Sequence, residues 1–157
     1  MRCYLQFWRK LVFWVSRTGP GDVTLPLWAN GKGLAMDIAV VCPLAQSHLD
    51  EVEPAECYAV AQKHSKYDEA FIRSGYDFAA IVFETSGGVN LEGEQILKQI
   101  FRFASRRSMT SHSRFCSRAW TRLSCCIQRA SCQMLISRVY AEFELRASGV
   151  LGDADFL

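Results

Sequence analysis

The stretch DVTLPLWANGKGLAMDIAVV, residues 22–41, decides the fold. Val23, Leu25 and Leu27 alternate against Thr24 and Pro26, which predicts a β-strand over 22–28. Pro26 has no N–H to give to a ladder, so this strand lies at an edge or carries a bulge. Ala29-Asn30-Gly31-Lys32-Gly33 follows, and its Asn-Gly pair tolerates the positive φ of a tight hairpin turn. Residues 34–41 then read as a buried strand, closed by Pro43 and interrupted by one acid, Asp37.

Working outward, residues 54–74 read as a helix, with Pro54 in its first turn and Gly75 just past its end. Residues 76–85 are a strand rich in Ile81, Val82 and Phe83, and Ser86-Gly87-Gly88 closes it. Residues 91–107 form an amphipathic helix. Leu97, Ile100, Phe101 and Ala104 line one face, and Lys98, Arg102 and Arg106 line another. A helix or helix pair covers about 112–140, where Phe115, Ala119, Leu123, Ile127 and Ala130 form an apolar stripe. Residues 1–17 begin the chain with an aromatic, basic segment in which Tyr4, Trp8, Leu11, Val12 and Val15 share a helical stripe. The order is helix, strand hairpin, helix, strand and basic helical region. It predicts an α/β fold, a sheet with helices packed on it.

The chain has 157 residues, enough for one domain with its own core. Its longest uncharged stretch, Ile38 to Leu49, is too short to cross a bilayer. The net charge of +2 hides three blocks. Residues 1–17 carry only basic charge. Residues 18–94 carry twelve acids against Lys32, Lys63, Lys66 and Arg73. Residues 95–141 carry Lys98, Arg102, Arg106, Arg107, Arg114, Arg118, Arg122, Arg129 and Arg138 and no acid. The plain reading of such a block is a solvated helix face. Its complete lack of acids points instead to a polyanion, DNA or RNA. Seven cysteines with no CxxC pair fit neither a disulfide framework nor a zinc site, and suit a reducing compartment. The N-terminal segment is a core-packing helix or, on a weaker reading, a membrane-surface helix. His48, His64 and His112 are scattered and suggest no nucleophilic constellation; His64 reads as a helix-surface residue.

Asp22 and Asp37 are the acids placed where acids are costly. The hairpin sets their strands side by side, so both carboxylates can approach one point. Two carboxylates, completed by water and phosphate, suit Mg²⁺ or Mn²⁺. Lys63 and Lys66, three apart on the next helix, could hold a scissile phosphate or orient an attacking water. The plainer alternative makes Asp22 a turn cap and Asp37 a satisfied edge residue.

These residues meet a family pattern. Gly19-Pro20-Gly21-Asp22-Val23, the run from Gly33 through Asp37 to Leu44, Lys63-His64-Ser65-Lys66-Tyr67-Asp68 and Phe83-Glu84-Thr85-Ser86-Gly87-Gly88 occur in that order. The series continues through Arg122-Leu123, Arg129-Ala130 and Leu135-Ile136-Ser137-Arg138. Over roughly residues 18–138 it resembles the C-terminal restriction-endonuclease-like, PD-(D/E)XK-type region of non-LTR retrotransposon reverse-transcriptase polyproteins. Gly19 stands where that family usually has Arg, and Ala39 stands where a lysine two residues after the second acid would be.

The resemblance implies a restriction-endonuclease-like core, a central mixed sheet flanked by helices, with a basic C-terminal helical extension. It divides the chain into an aromatic, basic N-terminal helix of uncertain origin at 1–17, the core at 18–107, and the basic helical extension and tail at 108–157. It implies a Mg-dependent DNA endonuclease, in an isolated or truncated copy acting in the nucleus, that cleaves or nicks target DNA. Asp22 and Asp37 would hold the metal, with Lys63, or alternatively Lys66, as the catalytic lysine. Lys98, Arg102, Arg106, Arg107, Arg114, Arg118, Arg122 and Arg129 would contact nucleic acid. The alternative function is a catalytically inactive nucleic-acid-binding remnant of such an element.

Overall fold

A computed structural model describes residues 21–147. The N-terminal helix expected at 1–17 and the tail beyond 147 lie outside the described residues. The first two strands form the expected hairpin: β1 (Val23–Ala29) and β2 (Lys32–Val41) pair antiparallel. Asn30 at φ 52° and Gly31 at φ 76° make the turn, both in the left-handed region that a two-residue hairpin loop requires. β1 lies at the sheet edge and its register shifts between Leu25 and Ala29, around Pro26. The shift ends the expected alternation. Leu27, the third apolar position of β1, is 82% exposed, because the irregularity re-aims the strand past Pro26.

A short 3₁₀ turn (Gln46–His48) leads into α1 (Pro54–Tyr58), a π-helical stretch (Ala59–His64) and α2 (Ser65–Ser74). Pro54 stands at the N-terminus and Gly75, at φ 76°, ends the run. This helical crossover returns the chain to β3 (Tyr76–Glu84), which pairs parallel to β2. The three-stranded mixed sheet therefore has the order β1-β2-β3. Helices α3 (Leu91–Arg107) and α4 (His112–Ala147) follow.

Side-chain alternation gives the sheet two faces. On one, Val23, Leu25, Leu34, Met36, Ala79, Ile81 and Phe83 pack with Ile96, Leu97, Ile100 and Phe101 of α3 and with Ala119, Leu123 and Ile127 of α4. Gly93 lets α3 approach closely, since a Cβ there would meet Asn90 Oδ1 and Ile81. On the other face, Val41, Ala80 and Val82 pack with Ala55 and Ala59 of the crossover. Asp37 belongs to this second face by its alternation with Ala39 and Val41. The basic C-terminal region is one continuous helix rather than a pair, and only its first half packs on the core. From Cys132 to Glu144 every residue is exposed, including Leu135, Ile136, Val139, Tyr140 and Phe143. Among the described residues, no helix is long and apolar enough to cross a membrane.

Candidate active site

Asp37 sits in the middle of β2, across from Ala80 of β3. On its other side, β1 pairs Val23 with Met36, and Asp22 lies just before that strand begins. Asp22 Oδ2 accepts a hydrogen bond from the Ile38 N–H at 2.9 Å, which ties its carboxylate to the residue following Asp37. Asp22 is exposed and spends this oxygen on the β2 backbone, which is the turn-capping role that the plainer reading gives it.

The crossover supplies the cation. Lys63 Nζ lies 2.6 Å from Asp37 Oδ2, and both side chains are less than one-fifth exposed. Tyr58 flanks the ammonium, with its ring centroid 5.6 Å from Nζ. Burial disfavours the Lys63 charge, but the hydrogen bond and charge of Asp37 outweigh it and hold the ammonium above the ordinary lysine value. Lys66 takes no part in this pair. It is exposed, with its ammonium 5.0 Å from the Tyr67 ring. Lys63 occupies the π-helical stretch, whose wider turns are rare and recur at functional sites.

On this sheet face the buried Thr24 Oγ1 has no hydrogen-bond partner, and the buried Asp37 Oδ2 has only the Lys63 ammonium. A buried polar atom without a partner, such as Thr24 Oγ1, is costly in a folded interior. Asp37 and Asp22 are the carboxylates of this region that could serve a hard divalent cation as oxygen ligands, with water and phosphate for the rest. Among the described residues, no cluster of three or more His, Cys, Asp or Glu side chains could hold a metal by itself.

Next to Lys63, His64 is drawn inward rather than lying on the helix surface. Its Nδ1 meets Asp68 Oδ1 and its Nε2 meets Glu92 Oε2, each at 2.9 Å. Burial lowers the imidazole pKa, but the bonds and charges of Asp68 and Glu92 together outweigh it, so it stands above the ordinary histidine value. Glu92 Oε2 also accepts from the Ala80 N–H at 3.0 Å. Asn90 acts similarly on β3. Its Oδ1 accepts from the Val82 N–H and its Nδ2 donates to the Ala80 carbonyl, both at 2.9 Å. Sequence reading misses Asn90 and Glu92 because their partners are backbone groups of β3, invisible to spacing. The only advance sign is the placement of Asn90 just before an amphipathic helix.

The basic residues singled out from sequence are exposed: Lys98, Arg102, Arg106 and Arg107 on α3, and Arg114, Arg118, Arg122 and Arg129 on α4. Lys98 pairs with Glu94 at 2.6 Å. On α4 the arginines form one stripe, turned away from the buried Ala119, Leu123 and Ile127. A separate cleft of about 310 Å³ lies between the 3₁₀ turn and the crossover, lined by His48, Glu51, Cys57, Tyr58 and Gln62 among others. Comparison of the chain with protein-family models, with curated proteins and with solved structures found no match.

Proposed function

We propose that the chain is a metal-dependent DNA endonuclease domain of restriction-endonuclease-like type, derived from a retrotransposon polyprotein. The observation that supports this best is the pairing of Asp37, an acid in the middle of a strand, with Lys63 of the crossover helix, next to the strand entry where Asp22 binds the Ile38 N–H. Phosphodiester hydrolysis adds water across one P–O bond, and negative charge accumulates on the phosphate oxygens in the transition state. Asp22 and Asp37 would hold Mg²⁺ or Mn²⁺, which supplies Lewis-acid polarisation and a bound water of lowered pKa. Lys63, beside one of those carboxylates, offers a fixed positive charge where the phosphate gathers negative charge. The exposed Arg114, Arg118, Arg122 and Arg129 would grip the sugar–phosphate backbone and position the duplex without reading its sequence.

The second reading is a nucleic-acid-binding remnant without cleavage, and the arginine stripe of α4 is the observation that favours it. Divalent-cation binding separates the two. Calorimetric titration of Mn²⁺ should show one site in the wild type and none in Asp37→Ala. Lys63→Ala should bind Mn²⁺ more tightly than wild type, because a competing positive charge leaves Asp37. A wild type that binds DNA but no divalent cation is the remnant.

A further inference from the structure

Asp37, Ala80, Glu92, His64 and Lys63 form a closed ring of contacts. Asp37 and Ala80 stand opposite each other on β2 and β3. The Ala80 N–H donates to Glu92 Oε2, and the same oxygen meets His64 Nε2. Lys63 is the next residue along the chain and returns to Asp37.

Both nitrogens of His64 face carboxylates. A neutral imidazole carries one N–H and one lone pair, so it would set that lone pair against a carboxylate oxygen. Only the imidazolium donates to Asp68 and Glu92 together. The charged groups in contact with the ring are Asp68 on α2 and Glu92 on α3. From β3 the Phe78 ring meets it edge-on, 5.4 Å between centroids.

We propose that the His64 imidazolium is a positioning residue: held between Asp68 and Glu92, it fixes the π-helical turn against β3 and so holds Lys63 against Asp37. A π-helical turn is uncommon and needs support from outside its own hydrogen bonds. Glu92 provides that support, because one of its oxygens is bound to the backbone of the residue opposite Asp37. Loss of one ring proton replaces an attraction to a carboxylate with a repulsion, and the turn is released on that side. The consequence for catalysis rests on the endonuclease reading, whereas the clamp itself does not.

The test is an NMR titration of the full chain over roughly pH 5 to 9, the range in which histidine changes charge. It follows the His64 ring nitrogens, the Lys63 Cε and the amide exchange of residues 60–64. The expected result is a His64 midpoint above about 6.5, with a step in the Lys63 signal and faster amide exchange at the same midpoint. In His64→Phe, which retains a ring against Phe78, the Lys63 step disappears. In Glu92→Gln, which keeps an acceptor without charge, the His64 midpoint falls and the Lys63 step moves with it. The Glu92→Gln arm decides the matter if His64→Phe does not fold. A Lys63 signal with no step at the His64 midpoint, or a step that survives in His64→Phe, overturns the proposal. If plasmid nicking is measured alongside, a coupled Lys63 step in a protein that never nicks supports the clamp and removes the endonuclease reading.

Discussion

Lys63 Nζ lies 2.6 Å from Asp37 Oδ2, across the gap between a crossover helix and the strand it covers. Asp37 Oδ2 has no partner besides Lys63, so removing Lys63 leaves a buried oxygen and its charge uncompensated. Lys63→Met should destabilise the fold by about 2–3 kcal/mol in urea unfolding, toward the low end for a broken buried pair because both side chains keep some solvent contact. The double variant Asp37→Leu/Lys63→Met should recover most of that loss. A single variant as stable as wild type would show that the pair contributes nothing to the fold.

His64 makes stability depend on pH. Its folded pKa is raised, so the folded state holds the proton more tightly than the unfolded chain. The contribution is complete below the unfolded value of about 6.5 and is lost as pH rises through the folded value. Urea midpoints measured from mildly acidic to mildly alkaline pH should fall in wild type and fall less in His64→Phe. Parallel curves for the two proteins would show that His64 is not linked to folding.

Helix α4 has two unlike halves. Leu123 is 1% exposed and packs in the main core, while Leu135 is 64% exposed. Leu123→Ala should cost about 2–5 kcal/mol, and Leu135→Ala should stay within about 0.5 kcal/mol. Equal costs, read from urea unfolding, would mean that α4 does not dock as described.

Much of this architecture is legible in the sequence. Asn30-Gly31 marks the hairpin, Pro54 and Gly75 bracket the crossover, and the apolar spacing of Leu97, Ile100, Phe101 and Ala104 places α3 on the sheet. Asp37 stands out because an acid in an apolar strand has a cost to meet. The π-helical stretch leaves no trace in a period-3.6 pattern, since one inserted residue shifts the face only locally. That shift separates the roles of Lys63 and Lys66, which spacing alone leaves equivalent. His64 reads as a surface residue because one of its two carboxylate partners, Glu92, reaches it only through the tertiary fold. The exposure of Leu27 has the same origin, an edge strand whose register breaks at Pro26.

The basic helices carry a salt-dependent prediction. If about five of the exposed basic residues contact phosphates, log K for duplex DNA should fall with log salt at a slope near −4 to −5. Changing Arg114, Arg118 and Arg122 to Ala should weaken binding equally on all sequences and flatten the slope by about 3. A slope near zero in wild type would make this block a solvated surface.

The most direct measurement is nicking of supercoiled plasmid by the folded, DNA-binding protein with Mg²⁺ or Mn²⁺, beside a chelator control. Wild type should convert the plasmid to the open circle only with the metal. Asp37→Ala should abolish nicking while DNA binding is kept or tightened, because a negative charge leaves the site. Lys63→Ala should lose far more activity than Lys66→Ala, since only Lys63 touches Asp37. Metal-dependent nicking that survives Asp37→Ala, or a wild type that binds DNA and never nicks it, would contradict the assignment of Asp22, Asp37 and Lys63 as a catalytic site.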